Sequence, residues 1–108
     1  MKVKFKQYNC ILEWGRYADD SIAIQLMDQE GPVATATVRL YDPPPPKGWD
    51  PKTEVWLKDW SENRGMVEAL VKAGVVEVTG KLWPAGYVTA VHAKLTPIAL
   101  AELARVQV

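Results

Sequence analysis

Four consecutive prolines, Pro43 to Pro46, interrupt the chain near its middle. Proline lacks an amide N–H and fixes φ, so this run fits neither a helix interior nor a central strand, and it favours extended polyproline geometry. Gly48 and Pro51 prolong the interruption, and the sequence therefore predicts a surface loop over residues 42–53. Such a loop is either a stiff spacer or a ligand for the aromatic grooves that recognise polyproline.

The same loop carries a large apolar side chain, Trp49, among residues that are otherwise turn formers. A tryptophan in this position either folds back onto the core or remains exposed as a contact for a partner. The chain has five tryptophans and one phenylalanine, so the placement of each tryptophan bears on function. We expect Trp14 and Trp56 to be core residues, which leaves Trp49 and Trp60 as candidate partner contacts.

The 108 residues are enough for one domain, residues 1–108, and 13 basic residues balance 13 acidic ones. Zero net charge gives no bulk attraction to nucleic acid or to anionic lipid, so nucleic-acid binding is disfavoured. A single cysteine, Cys10, and a single histidine, His92, exclude an intramolecular disulfide and a cluster of Cys or His metal ligands. Because neither a signal peptide nor a long apolar run is present, we predict no membrane partner and a cytoplasmic protein. We also predict no cofactor.

Alternating apolar and polar residues predict several short strands. The row of Lys2, Lys4 and Lys6 is typical of a charged edge strand. Residues 9–17 are either a continued strand or a turn packed on the sheet, and residues 21–40 predict an antiparallel hairpin around Gly31. Further strands are predicted over residues 54–59, 75–78 and 87–95, with turns at residues 79–80 and 82–86.

Apolar spacing predicts a central helix over about residues 62–73, with Ser61 as its N-cap and Gly74 as the residue that ends it. Thr96 and Pro97 are typical of a helix start, so residues 98–105 predict a C-terminal helix, with a closing strand as the alternative. The predicted fold class is α+β: a mostly antiparallel sheet of five to seven strands with one central helix packed on one face.

Two clusters combine aromatic and basic residues. In the first, Lys58 to Met66, the side chains of Trp60, Asn63 and Arg64 are candidate partner contacts, although Asp59 and Ser61 can equally serve the helix N-terminus. The second cluster, Glu13 to Tyr17, contains two more candidate contacts. These are Arg16 and Tyr17, whose alternative role is a contact inside the fold.

No motif for phosphate binding, for a nucleophilic serine or for a metal site is present. A Cys10–His92 catalytic pair would require both side chains to meet in space with a third, orienting group. Asp59 and Glu62 are the acidic residues that we would test first for catalysis. Because none of these catalytic motifs is present, the sequence predicts a protein that is not an enzyme.

Several runs of residues resemble, in order, a family of small bacterial proteins of unknown function that are carried on plasmids, phages and integrated elements. The runs are Leu12 to Asp19, Ile24 to Leu26, Ala34 to Val38, Lys58 to Met66 and Ala69 to Val76. The resemblance spans most of residues 8 to 95, and the chain departs from it at the longer proline loop. It implies a setting, bacterial mobile DNA, and no catalytic residues.

In that setting, small single-domain proteins often bind host machinery, including defence systems. We therefore expect a protein-binding module that contacts a host protein, with a counter-defence inhibitor of the anti-CRISPR kind as one form. One alternative is a single-stranded nucleic-acid-binding accessory protein, in which aromatic rings stack on bases and the lysines of the edge strand line the phosphates. Another is an enzyme with an unrecognised site.

Overall fold

A computed structural model describes residues 1–106, and it confirms the predicted α+β class. The last two positions of the predicted domain lie outside the described residues. The elements are, in chain order, β1 (Lys2–Phe5), β2 (Tyr8–Arg16), β3 (Ile22–Asp28), β4 (Gly31–Thr35), β5 (Glu54–Leu57), a 3₁₀ turn (Ser61–Asn63), α1 (Met66–Lys72), β6 (Val76–Ala85), β7 (Val88–Leu95) and α2 (Pro97–Val106).

The first four strands form an antiparallel sheet in the order β1-β2-β3-β4. Strand β1 is an edge, as the lysine row predicted: Lys2 and Lys4 are exposed, while Val3 and Phe5 are buried. Strand β2 is continuous, so residues 9–16 are the strand rather than the packed turn. The predicted hairpin is confirmed by β3 and β4, which meet at a turn before Gly31.

The remaining strands form a second antiparallel sheet in the order β5-β7-β6. The predicted turn at residues 79–80 is wrong. Strand β6 runs on to Ala85, and its register shifts between Val78 and Leu82, so three residues of β6 lie opposite one residue of β7. The Thr79-Gly80 pair is thus a bulge on an edge strand, a feature that shares its turn-forming composition with a true turn.

The two sheets are joined by the segment that follows β4. Ala36 donates from its backbone N–H to the carbonyl of Ile24 in β3 at 2.8 Å, and Val38 donates to the carbonyl of Trp56 in β5 at 2.9 Å. Thr37 also forms an isolated bridge with Leu57. Helix α1 contacts β1 and β6, which are the outer strands of the two sheets. The sheets therefore wrap round a common interior that α1 covers on its open side.

Helix α1 ends as predicted and begins differently. Gly74, at φ +75°, follows the last turn, and Val75 N–H donates to the Leu70 carbonyl at 3.0 Å, which is the Schellman arrangement. At the other end, Ser61 does not cap the helix: it lies at φ +53° and opens a separate 3₁₀ turn. Gly65, in the left-handed conformation, breaks the predicted helix into the 3₁₀ turn and α1.

The C-terminal segment is the predicted helix, not a closing strand. Thr96 Oγ1 accepts the N–H of Ala99 at 3.2 Å, as expected of an N-cap, and donates to the Gly74 carbonyl at 2.6 Å. Further along α2, Glu102 accepts hydrogen bonds from Trp14 Nε1 at 2.8 Å and from the amino group of Met1 at 2.8 Å. These bonds attach α2 to the first sheet.

One large buried cluster fills the space between the sheets and the helices. Its members from the strands include Val3, Phe5, Cys10, Leu12, Trp14, Ile24, Leu26, Val55, Leu57, Ala93 and Leu95, and its helical members are Met66, Ala69, Leu70, Ala99 and Leu103. Burial of this apolar surface is the main stabilising contribution to the fold. Both Trp14 and Trp56 are buried, as predicted, but Trp56 belongs to a second cluster.

The proline-rich loop covers the outer face of the second sheet. There Trp56 is buried with Leu40 and Ala90, and Trp49 and Trp83 pack against this group. Trp83 Nε1 donates to the Pro44 carbonyl at 2.9 Å. The loop is therefore a structural cover that gives the sheet a second apolar layer. Within residues 1–106, no helix is long and apolar enough to cross a membrane.

Candidate functional site

The chain between β5 and α1, residues 58–65, makes a corner whose conformation is fixed from inside, and we call it the corner loop. Asn63 is its anchor: the side chain is 3% exposed, and Nδ2 donates to the carbonyls of Thr35 at 2.7 Å and Lys58 at 3.2 Å. The loop is therefore bound to the start of the segment that joins the two sheets. This placement favours a structural role for Asn63 over a contact with a partner.

Asp59 fixes the other end of the corner loop. Its Oδ1 accepts the backbone N–H groups of Gly65 at 2.6 Å and Met66 at 2.8 Å, which are among the free amides at the start of α1. The carboxylate reaches these amides from seven residues upstream because Gly65 adopts φ +95° and turns the chain back. Asp59 is thus occupied within the fold, and a role in catalysis finds no support in its contacts.

The corner loop also contains strained backbone. Ser61 lies at φ +53° and Lys6, in the turn between β1 and β2, at φ +54°, and neither is a glycine. The two strained places are linked, because Lys6 Nζ donates to the Glu62 carbonyl at 2.7 Å. Non-glycine residues keep such angles only where their surroundings enforce them, and they concentrate at functional sites.

The corner loop presents Trp60, Ser61, Glu62 and Arg64 to solvent to different degrees. Trp60 is half-buried, and Glu62 and Arg64 are exposed. Among residues 1–106, no hydrogen bond or ion pair of the Arg64 guanidinium is found. A rigid loop thus displays an aromatic ring and an unneutralised cation about four residues apart along the chain.

The second predicted cluster lies elsewhere. Tyr17 OH shares a hydrogen bond with Thr37 Oγ1 at 2.9 Å, and Arg16 donates to the Asp20 carbonyl at 3.0 Å, which closes the β2–β3 turn. Arg16 is the last residue of β2, whereas Lys6, which donates a hydrogen bond to the corner loop, lies two residues before the first residue of β2. The length of β2 separates them, roughly 27 Å at about 3.4 Å per residue. These contacts favour roles inside the fold for Arg16 and Tyr17.

Trp49 is also separate from the corner loop. It is half-buried, and its ring meets that of Trp56 edge-on with 6.2 Å between the ring centroids. This favours the interpretation in which Trp49 folds back onto the core. Among the predicted contacts, Trp60 and Arg64 are therefore the two whose side chains show no hydrogen bond, ion pair or ring contact within residues 1–106.

A polar network that was not foreseen lies on the outer face of the second sheet. His92 is 3% exposed; its Nε2 is 2.7 Å from Glu54 Oε1, and its Nδ1 is 2.6 Å from Thr79 Oγ1. The ring packs against that of Trp56 with an interplanar angle of 45° and 4.7 Å between the ring centroids. The three hydrogen-bonded residues, Glu54, His92 and Thr79, lie on three different strands, so only the strand register brings them together.

The cysteine is placed apart from this network. Cys10 is buried in the main cluster on the inner face of the first sheet, whereas His92 faces outward from the second. Burial, reinforced by the charge of Asp28, raises the pKa of the Cys10 thiol above its ordinary value. A protonated thiol without His92 beside it is a poor nucleophile, so the geometry gives no Cys–His pair.

Among residues 1–106, no group of three or more His, Cys, Asp or Glu side chains is arranged to hold a metal ion. The sequence matches no protein-family model and no curated protein, and the fold matches no solved structure. The relationship to small proteins of mobile DNA therefore stays a prediction from the residues. The function has to be inferred from the surfaces themselves.

Proposed function

We propose that the protein is a non-enzymatic protein-binding module and that the corner loop is its contact surface. The observation that carries the proposal is the immobilised presentation of Trp60 and Arg64. Asn63 and Asp59 hold the loop by four hydrogen bonds of 2.6 to 3.2 Å, and the two displayed side chains take no part in that framework.

Tryptophan and arginine are the residue types most enriched among those that dominate binding energy at protein interfaces. A contact loop that is already ordered avoids much of the conformational entropy that a flexible loop loses on binding. Ser61 and Lys6 retain strained angles beside the displayed residues, which is consistent with a shape maintained for recognition. Together these properties suit a surface that binds a partner with little rearrangement.

The resemblance to proteins of mobile DNA supports a more specific proposal. A host protein is the partner class, and a stoichiometric inhibitor of host defence is the mode of action. Such an inhibitor requires an anchored surface and no catalytic group. The zero net charge argues against an inhibitor that imitates the phosphates of DNA, because that mode requires a strongly acidic face.

The proposal is tested by quantitative affinity capture from bacterial lysate, comparing the wild type with Trp60→Ala and Arg64→Glu. We expect a host protein in stoichiometric amount, with binding weakened at least about tenfold in each variant, as for residues at an interface centre. Lys47→Glu, on the exposed part of the proline loop, is the matched charge-reversal control and leaves capture unchanged. Recovery of no stoichiometric partner would overturn the proposal.

The nucleic-acid alternative is separated by its own variants. Lys2 and Lys4 are exposed side by side on β1, whereas Lys6 is already bonded to Glu62. A mobility shift with single-stranded DNA or RNA at about 50 mM salt that is lost in Lys2→Glu/Lys4→Glu, and retained in Trp60→Ala, would favour the alternative. The absence of any shift at low salt excludes it.

A further inference from the structure

The network around His92 has the connectivity of an activated nucleophile. A hydroxyl, an imidazole and a carboxylate follow one another: Thr79 Oγ1 to His92 Nδ1 at 2.6 Å, and His92 Nε2 to Glu54 Oε1 at 2.7 Å. A nucleophile within hydrogen-bond reach of a base, with the base held by a third group, is the general signature of nucleophilic activation. A Cys10–His92 pair has neither contact, because Cys10 is buried in the main cluster.

The order of the partners determines the tautomer of His92. An ionised Glu54 carboxylate can only accept a hydrogen bond, so Nε2 carries the ring proton. In the neutral imidazole Nδ1 then has a free lone pair, to which the hydroxyl of Thr79 donates. The other acceptor within reach of this hydroxyl is the His92 carbonyl, which lies farther away at 3.4 Å. The imidazole is therefore poised to take the Thr79 proton.

The bulge in β6 displays Thr79 at the surface. Gly80, at φ +87°, allows the backbone to bulge at this point. Thr79 is exposed, although His92, to which it is hydrogen-bonded, is buried. The Lys81 backbone N–H donates to Thr79 Oγ1 at 3.3 Å and helps to fix the position of the hydroxyl. Bulges commonly redirect a side chain next to a reactive site.

We propose that Thr79 is an acyl-accepting modification site, with His92 as its general base and Glu54 as the positioning residue. Thr79 Oγ1 attacks the carbonyl carbon of an activated ester while His92 Nδ1 takes the hydroxyl proton. The tetrahedral intermediate collapses, the bond to the alkoxide or aryloxide leaving group breaks, and that group takes up a proton from the imidazolium or from water. Thr79 is left as an ester, and no oxidant, metal or second substrate is involved.

The reaction modifies the protein once and requires no turnover, so it is compatible with a binding module. Its residues lie on the second sheet, so the proposal does not depend on the corner loop. The bulge is an open surface, which predicts reaction with small activated esters and little selectivity among acyl groups. The ligand class is therefore an acyl donor with a good leaving group.

The test uses p-nitrophenyl acetate and the full chain. Release of p-nitrophenolate is followed by absorbance, and peptide mass spectrometry locates the acetyl group; hydroxylamine removes an ester on threonine but leaves amides on lysines. Thr89, an exposed threonine on β7, is the internal reference. We expect acetylation of Thr79 at least about a hundredfold faster than that of Thr89, the usual contribution of a positioned base. Equal rates at the two threonines would refute the proposal.

Variants assign the roles. Thr79→Val removes the fast p-nitrophenolate release, and His92→Gln reduces the Thr79 rate to that of Thr89. An unchanged rate in a folded His92→Gln variant contradicts the proposal. Should His92→Gln fail to fold, the ratio of Thr79 to Thr89 in the wild type and the behaviour of the Glu54 variant still decide the matter.

Glu54→Gln gives a readout that a structural role would not. The carboxylate accepts the Nε2 proton of His92 and so leaves Nδ1 to face Thr79, and we expect its replacement to lower the Thr79 rate while Glu54→Asp, which keeps a carboxylate, restores part of it. Lys94 lies opposite Glu54 in the strand register and Glu77 lies opposite Lys94, and the backbone N–H of Asp50 donates to Glu54 Oε1 at 3.2 Å; all three residues are unchanged in the variant. A Thr79 rate that is unchanged in Glu54→Gln, or no recovery in a folded Glu54→Asp variant, would exclude Glu54 as the positioning residue.

Discussion

Replacing Asn63 by alanine is expected to destabilise the whole fold rather than to alter a binding surface alone. The side chain is 3% exposed, and its amide nitrogen is shared between the carbonyls of Thr35 and Lys58. Alanine provides neither donor, so both carbonyls lose the amide as a partner. The corner loop would lose its attachment to the segment that joins the two sheets.

The magnitude follows from these two bonds. A buried hydrogen bond contributes about 1 kcal/mol net, and an acceptor left without its partner adds a desolvation cost. For bonds of 2.7 and 3.2 Å we expect a loss of about 2–3 kcal/mol in the free energy of unfolding. Asn63→Asp should cost more, because it points a carboxylate oxygen at two carbonyl oxygens.

Urea unfolding followed by tryptophan fluorescence measures the effect, and Asn9→Ala is the control. Asn9 is exposed on β2, so its replacement should change the unfolding free energy by less than about 0.5 kcal/mol. An Asn63→Ala variant as stable as Asn9→Ala would show that the amide does not anchor the corner loop. The assignment of Asn63 to the framework would then be abandoned.

Three further predictions test the framework. Trp14→Phe should lower the unfolding free energy, measured by thermal unfolding, by about 1–2 kcal/mol more than Trp56→Phe. Trp14 loses its hydrogen bond to the Glu102 carboxylate, whereas Trp56 Nε1 has no hydrogen-bond partner among residues 1–106. Equal losses in the two variants would contradict this. Gly74→Ala should cost about 1 kcal/mol through its positive φ alone, since nothing lies within 4 Å of the added Cβ. The hydrogen bond from the Met1 amino group, and that from Trp14, hold the pKa of Glu102 below its ordinary value. The unfolded chain therefore takes up a proton first as pH falls, so the unfolding free energy should decrease below about pH 4.5, less steeply in Glu102→Gln; parallel pH curves would refute it.

Elements with local causes were predictable from the sequence. The alternation of polar and apolar residues in β1 and the glycine that ends α1 determine the structure of their immediate neighbours, and both are found in the structure. The start of α1 was not predictable in the same way. Ser61 has the right chemistry for a cap, yet Asp59 takes that role because Gly65 reverses the chain. A cap that acts across seven residues has no spacing rule to reveal it.

The candidate sites depend on non-local packing and were predicted only in part. Trp60 and Arg64 were selected by residue type, and in the structure Arg64 is exposed and Trp60 is half-buried. The burial of Asn63 depends on a carbonyl 28 residues away. The His92 network depends on the pairing of β5 and β6 with β7 and on a bulge that resembles a turn in the sequence. No motif encodes such a register.

The segment 36–38 has a consequence for how the protein opens. Its amides are bonded on one side to β3 and on the other to β5, so neither sheet can separate without breaking it. Opening of one half of the molecule is therefore coupled to the other, and the chain should lose structure in one cooperative step. Amide hydrogens of Ala36 and Val38 should then be among the slowest to exchange with deuterated solvent, at rates that report global unfolding.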